Sequence, residues 1–387
     1  MTAHSGRATM VAAVIVAAVI VVGSGIYTWT NTGGDSSQRG DAAGPGAPAT
    51  TAPTAAREIN RFPVARLSAT QTGGVCAVLA TGRGYCWGPD VKSSTPEPVQ
   101  LEPVEQISIG YVTCVVSRGE LWCWQNSGDS TPRKKDGVVG ATAVATSVTT
   151  ICAIAVGDVY CLGSNTHGSV GDGTHEDRDA PTKVNGPSGT TALALNMSTA
   201  CAVGGGDLWC WGDNTFGQLG DGTRPDPPGR MVDRPTPAKV LGLGHVTAVS
   251  IGGARTCAIS DGDLFCWGRM MLELSIDSAT PVAVPSFGKV TSVSVGQESV
   301  CAIRVDGAVV CGGDNRYGRL GTETSPRKGD AVVVRGISGA TSVAVGVRSA
   351  CAATEQATYC WGNNEGGQLG DGTTAAHKVP APVRWRN

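Results

Sequence analysis

The chain has 387 residues, 30 Lys and Arg against 32 Asp and Glu, a net charge of −2, 55 glycines and 14 cysteines. A near-neutral chain with no large basic block gives no electrostatic basis for binding nucleic acid. Length alone admits two domains, but a repeat running through most of the chain overrides that reading.

Residues 1–29 read as an export segment. Met10 to Val22 is a 13-residue apolar run, preceded by Arg7 and by no acidic side chain. Continued to Trp29, it is long enough for a transmembrane helix over about residues 8–29, with Tyr27 and Trp29 at the far interface. A cleaved signal peptide, with Val22 and Ser24 as small residues before the cut, fits the same stretch. In both readings Arg7 stays inside and the rest ends outside. The chain is therefore expected as a single-pass membrane protein with an extracytoplasmic domain, or as a secreted one. Residues 30–60, which include "GDAAGPGAPATTAPTAA", hold too few apolar side chains to fold and are expected to form a flexible tether.

Residues 61–387 carry the repeat. In 256-TCAISDGDLFCWG-268, Asp261-Gly262 sits midway between two cysteines. Asp-Gly between apolar runs signals a two-residue type I′ hairpin turn. That turn sets Ile259 opposite Leu264 and Cys257 opposite Cys266. The cysteines then fall on a non-hydrogen-bonded pair, with Cα atoms about 4.5 Å apart, which a disulfide can span.

The arrangement occurs seven times and uses every cysteine: Cys76/Cys86, Cys114/Cys123, Cys152/Cys161, Cys201/Cys210, Cys257/Cys266, Cys301/Cys311 and Cys351/Cys360. The first and sixth pairs are ten apart, which suits a three-residue turn with a bulge. Arg118-Gly119, Val156-Gly157 and Gly205-Gly206 fill other midpoints; Glu355-Gln356 breaks the pattern. Paired cysteines imply an oxidising compartment. No C-x-x-C occurs and one hairpin offers only two ligands, so zinc is disfavoured.

First cysteines of successive units lie 38, 38, 49, 56, 44 and 50 residues apart, a period of solenoids, arrays or propellers. Each unit reads as four short strands, the fifth running "PAKVLG", "VTAVSIGG", "RTCAIS", "DLFCWG". Within the hairpin, Cys257, Ile259, Leu264 and Cys266 share one face, and Ala258, Phe265 and Trp267 the other. Both faces are apolar, so the sheet must be covered on both sides. That fits blades of an all-β, seven-bladed propeller better than a two-layer sandwich. A right-handed β-solenoid is the competing architecture. "APVRW" at the end resembles the proline-valine strands that open later units, while the first unit has little room for one. The ring is therefore expected to close through N- and C-terminal strands, with residues 379–385 joining the first blade.

A second motif follows the cysteines. Trp211-Gly-Asp-Asn-Thr-Phe-Gly-Gln-Leu-Gly-Asp-Gly-Thr223 recurs as Trp361-Gly-Asn-Asn-Glu-Gly-Gly-Gln-Leu-Gly-Asp-Gly-Thr373, with weaker forms at 163–174 and 313–321. Units one, two and five lose it. The repetition over roughly residues 64–387 resembles the RCC1 (regulator of chromosome condensation) repeat family, and the resemblance implies a seven-bladed propeller. The eukaryotic namesake exchanges nucleotide on a small GTPase and binds chromatin; no residue-level match carries its exchange residues onto this chain. The scaffold is also similar to a secreted bacterial β-lactamase inhibitor that binds through loops on one face.

The motif has a physical reading of its own. Glycines permit left-handed turns and Asn/Asp side chains cap their own backbone. Leu219, Leu320 and Leu369 are expected to pin the loops, and the Trp after the second cysteine to pack between blades. Asp213, Asn214 and Asp221 lack the further carboxylates of a calcium loop.

The histidines His4, His167, His175, His245 and His377 share no register, and only His167 and His175, beside Glu176 and Asp177, approach a metal or acid/base cluster. No nucleophile elbow, phosphate loop or H-E-x-x-H is present. No catalytic residue, cofactor or metal is expected. The chain reads as a non-catalytic, monomeric propeller that binds a protein partner and touches a membrane only through its N-terminus. A propeller-face hydrolase or lyase and an enzyme inhibitor of the β-lactamase-inhibitor type are the alternatives. Candidate contact residues are Arg230, in the proline-stiffened insertion from Arg224 to Pro237, and Arg316, Tyr317 and Arg319, types favoured at hot spots.

Overall fold

The structure is a computed structural model that describes residues 62–386, apart from 71, 127–130, 225–231, 272–275 and 328–329. The export segment and the tether lie outside the described residues. Among the described residues no helix is long and apolar enough to cross a membrane.

The hairpins form as their turns dictate. Asp261 and Gly262 both adopt positive φ, 51° and 79°, and Cys257 faces Cys266. Arg118-Gly119, Val156-Gly157 and Gly205-Gly206 turn the same way. In the ten-residue hairpins, Gly82 and Gly307 supply the left-handed residue of a three-residue turn. There Leu79 N–H donates to Arg83 O and Arg304 N–H to Ala308 O, each at 2.9 Å. Glu355-Gln356 has no positive φ. Instead Thr354 Oγ1 accepts from the N–H groups of Gln356 (3.2 Å) and Ala357 (3.0 Å).

All seven expected bridges are present. Cys76 joins Cys86, Cys114 joins Cys123, Cys152 joins Cys161 and Cys201 joins Cys210. Cys257 joins Cys266, Cys301 joins Cys311 and Cys351 joins Cys360. The Cα atoms lie 4.0–4.1 Å apart, near the ~4.5 Å of a non-hydrogen-bonded cross-strand pair.

Seven four-stranded antiparallel sheets follow in chain order. Blade 1 uses Val64–Ala69, Val75–Leu79, Gly84–Gly88 and Ser93–Pro98. Blade 5 uses Val246–Gly252, Arg255–Ser260, Asp263–Met271 and Ile276–Ala283. The bridged hairpin is always the middle pair.

The frame of the repeat differs from the sequence reading. The proline strand, such as Asp233–Lys239, does not open the next unit; it pairs with Asp207–Asp213 as the outer strand of blade 4. Proline lacks a ladder donor, so it is tolerated on that outer edge. The last strand, His377–Pro382, likewise completes blade 7, with Tyr359 facing Pro382 and Cys360 facing Ala381. The chain ends do close the ring, but by packing rather than by a strand given to blade 1. Trp385 stacks on Phe62 (centroids 5.1 Å) and meets Tyr85 and Trp87 edge-on (5.4 and 6.0 Å).

The core is seven inter-blade layers. Cys257, Ile259, Leu264 and Cys266 pack on Val295, Val300 and Ala302 of blade 6. Ala258, Phe265 and Trp267 pack on Cys201, Val203, Leu208 and Cys210 of blade 4. Every gap repeats this, with the bridge of one blade against the next. Small inner strands leave main-chain N–H groups along the central channel, and several are capped by the preceding blade. Ser108 Oγ accepts from Thr146 N–H (3.0 Å), Ser250 from Val295 (3.0 Å), Ser294 from Val345 (2.9 Å) and Ser342 from Leu67 (3.0 Å). Gln106 Oε1 does the same for Val144 N–H.

Candidate binding face

In an antiparallel blade the turns joining strands one to two and three to four emerge at the same end. The motif loops and the short inner turns therefore share one face, called the loop face here. The bridged hairpins point to the other.

The motif loops are closed structural units. Asn214 Nδ2 donates to Thr223 O (3.1 Å) and Oγ1 (2.8 Å), and its Oδ1 accepts from Leu219 N–H (3.0 Å). Asn165, Asn315 and Asn364 act alike in their loops. Leu219, Leu320 and Leu369, with Val170, are fully buried, as expected of pins.

Each loop also seats the tryptophan of the next blade. Trp211 Nε1 donates to Ser169 O (2.9 Å), Trp267 to Gln218 O (2.9 Å), Trp361 to Arg319 O (2.9 Å) and Trp87 to Gln368 O (3.0 Å). The four indoles are fully buried. Gly220 shows why glycine follows the buried leucine of the motif. Its φ is +73°, and a Cβ there would sit 2.5 Å from Trp267 Nε1. The sequence holds the signal for this pairing. Units 3, 4, 6 and 7 keep the motif, and Trp211, Trp267, Trp361 and Trp87 are the tryptophans that follow them around the ring. After motif-less units 2 and 5, the position holds Leu162 and Gly312.

The channel opens on the loop face as a cavity of about 190 Å³ whose lining includes Thr72, Tyr111, Val148, Met197, Ile251 and Gly346. That is below the several hundred Å³ of a small-molecule site and suits a protruding side chain. Tyr111, Val148 and Met197, from blades 2, 3 and 4, stay 54–56% exposed and line this same mouth. The rim changes character at blade 7. Arg348 stands over the Tyr317 ring (5.1 Å) and has no carboxylate partner among the described residues. Arg319 approaches the same ring (5.6 Å).

The predicted contact residues divide accordingly. Tyr317 is 46% exposed and takes φ 69° at its loop tip. Arg316 is exposed, with its Nε on Asp314 Oδ2 at 2.5 Å. Arg319 is a correction to the sequence reading, because it is buried. Its Nε donates to Arg316 O (3.0 Å) and its carbonyl holds Trp361, so it works inside the seat. Burial lowers its pKa. Burial would raise that of Asp314, but the backbone N–H and guanidinium of Arg316 hold it below the carboxylate range. Arg230 lies outside the described residues. Sequence reasoning missed the rim of Tyr111, Val148 and Met197, because a single apolar residue in a short turn carries no signal until the ring gathers three.

The bridged cysteines contribute nothing to this surface. Cys161, Cys210, Cys311 and Cys360 are fully buried, each in a layer between two blades. Their sulfurs are committed to disulfides, and among the described residues no cysteine is free. They hold the scaffold and offer no site for a ligand, a metal or nucleophilic chemistry.

The histidine cluster does not assemble as its spacing suggested. His167 Nδ1 and His175 Nε2 turn to Asp233 of blade 4, at 3.3 and 3.9 Å. Glu176 pairs with Arg178, and Asp177 accepts from Asn165 N–H. Among the described residues no group of three or more His, Cys, Asp or Glu is placed to hold a metal.

Fold and loop geometry define a seven-bladed propeller with a bridge in every blade and an indole seat in four of the seven gaps. The family model for the Regulator of chromosome condensation (RCC1) repeat matches residues 156–206, 205–259 and 357–387, and in those segments the chain resembles RCC1 repeats. Yeast RCC1 (Prp20), solved bound to Kap60, superposes with a TM-score of 0.66 at 17% identity, covering 78% of this chain and 83% of that one. Prp20p from Saccharomyces cerevisiae gives 0.65 at 17%, covering 78% and 85%. Human WBSCR16 gives 0.56 at 18%, covering 84% and 82%. At such identities the likeness speaks to the fold. A search of curated protein sequences finds no match.

Proposed function

We propose that the chain is an exported, non-catalytic scaffold that binds a protein partner through the loop face of its propeller. The N-terminal segment would either anchor it in the membrane or be cleaved. The observation that carries the reading is the set of exposed apolar side chains Tyr111, Val148 and Met197 at the channel mouth, with the exposed Tyr317–Arg348 pair in loops of the same face. Exposed aromatic, methionine and arginine side chains are enriched where proteins bind proteins. Fourteen bridged cysteines favour an oxidising compartment. Prp20p from yeast binds Gsp1p and histones, so propellers of this fold do bind proteins.

Site-specific photo-crosslinking tests it. A photoreactive residue at Tyr111 or Met197 is expected to trap one partner in intact cells. The same residue at Val156, 84% exposed on the opposite face, is expected to trap none. Adducts at Val156 alone, or at no position, would overturn the proposal.

A further inference from the structure

On the innermost strand of blade 1 sits an arginine whose charge no described residue answers. Arg66 belongs to the innermost strand of blade 1, three residues and roughly 10 Å from Ala69 at the loop-face mouth. It is half-buried and makes no hydrogen bond or ion pair with any described residue. Burial pushes its guanidinium below the ordinary arginine pKa, and no carboxylate acts the other way. Glu105, just ahead of the neighbouring inner strand, accepts from Arg118 N–H in its own blade.

The register shows what this position does elsewhere. Arg66 faces Val78, Gln106 faces Val116 and Ser342 faces Ala353, each two residues beyond the first cysteine of its blade. Ser342 and Gln106 use their side-chain oxygens to cap the next blade's inner N–H, at Leu67 and Val144. The counterpart in blade 2 is Ile107, and the residue of blade 1 at the capping register is Arg66, whose side chain has donors only. Where two other gaps hold a donor and an acceptor, this one holds two donors, one of them cationic. A half-buried cation without a partner is costly, and an oxygen anion satisfies both groups together.

We propose that the central channel is an oxyanion site, with Arg66 supplying the charge and Ile107 N–H a second donor. Its ligand carries a small carboxylate or a sulfate- or phosphate-type group. The site lies inside the ring and stands whether or not the loop face has a partner.

The test uses the full chain with its bridges intact, melted in sodium sulfate, sodium acetate or sodium chloride at equal ionic strength. Sulfate, acetate or both are expected to give a saturable rise of roughly 3–6 °C at about a hundredfold excess over Kd. Sulfate alone identifies a tetrahedral dianion, and acetate alone a carboxylate. Arg66→Gln should lose the saturable rise, yet melt at or above the wild type in chloride, because its amide oxygen can cap Ile107 as Gln106 caps Val144. Arg66→Lys should keep part of the response. Equal, non-saturating shifts in wild type and Arg66→Gln would be ordinary salt exclusion and would overturn the proposal. So would an Arg66→Gln variant that melts far below the wild type in every salt.

Discussion

The indole Nε1 of Trp267 in blade 5 donates to the main-chain carbonyl of Gln218 in blade 4, at 2.9 Å. This bond ties a loop of one blade to the core of the next, and the ring repeats it in four gaps. Trp267→Leu leaves that carbonyl without its partner and opens a cavity beside it. The expected loss is about 3–5 kcal/mol in urea unfolding. Trp124→Leu should cost about 1–2 kcal/mol, because Trp124 is only half-buried.

Gly220 and Trp267 should be energetically coupled. Gly220→Ala meets both the positive φ and the indole, for a loss of about 2–4 kcal/mol. Adding Trp267→Leu removes the obstacle, so the double variant should lose clearly less than the sum. A double-mutant cycle reads the coupling, and strict additivity would mean that glycine serves only its own turn.

Trp385 is the clasp of the ring. Trp385→Ala should cost about 2–4 kcal/mol, and deleting residues 378–387 should lower the melting temperature sharply, since it also strips the outer strand of blade 7. Calorimetry decides this. An unchanged melting temperature on deletion would mean that the ring holds without its ends.

Each bridge closes a loop of about ten residues, worth about 2.7 kcal/mol in the chain-entropy estimate. Replacing Cys257 and Cys266 with alanine should cost about 2–5 kcal/mol, because the loss of two buried sulfurs adds to the entropy term. Reduction of all seven should lower the melting temperature by far more than any single replacement. Melting with and without a strong reductant gives the comparison.

Acid should loosen the motif loops. Burial alone would raise Asp371, but the N–H and hydroxyl of Thr373, then His377 and Asn364, hold it below its usual range. Asp172 is lowered in the same sense by Thr174 and Arg178. A carboxylate depressed in the folded state adds stability above its unfolded pKa of about 3.9, and that stability is lost as pH falls through the lower folded value. Melting temperature should thus fall below about pH 4, with a shallower fall in Asp371→Asn.

Much of this was legible in order of sequence distance. Hairpin register, turn types and bridges follow from residues within ten positions of each other, as at Asp261-Gly262. Two apolar faces per hairpin already demanded cover on both sides. The frame of the blade was misread at "PAKV", because a strand's sequence does not say which neighbouring edge it joins. The loop and tryptophan pairing was present as a pattern across units, yet only the ring shows that a loop serves the next blade. Arg319 read as a surface contact because its residue type favours one; its burial depends on Trp361 arriving from another repeat.

Local chain chemistry by itself determined the stapled hairpin and its sevenfold repetition, because turn dihedrals and cysteine spacing act over a few residues. Which edge each proline strand joins, which indole each loop holds and which side chains meet at the channel were decided by closure of the ring. Closure brings together residues hundreds of positions apart, Trp87 and Gln368 among them, and no short-range preference encodes that meeting.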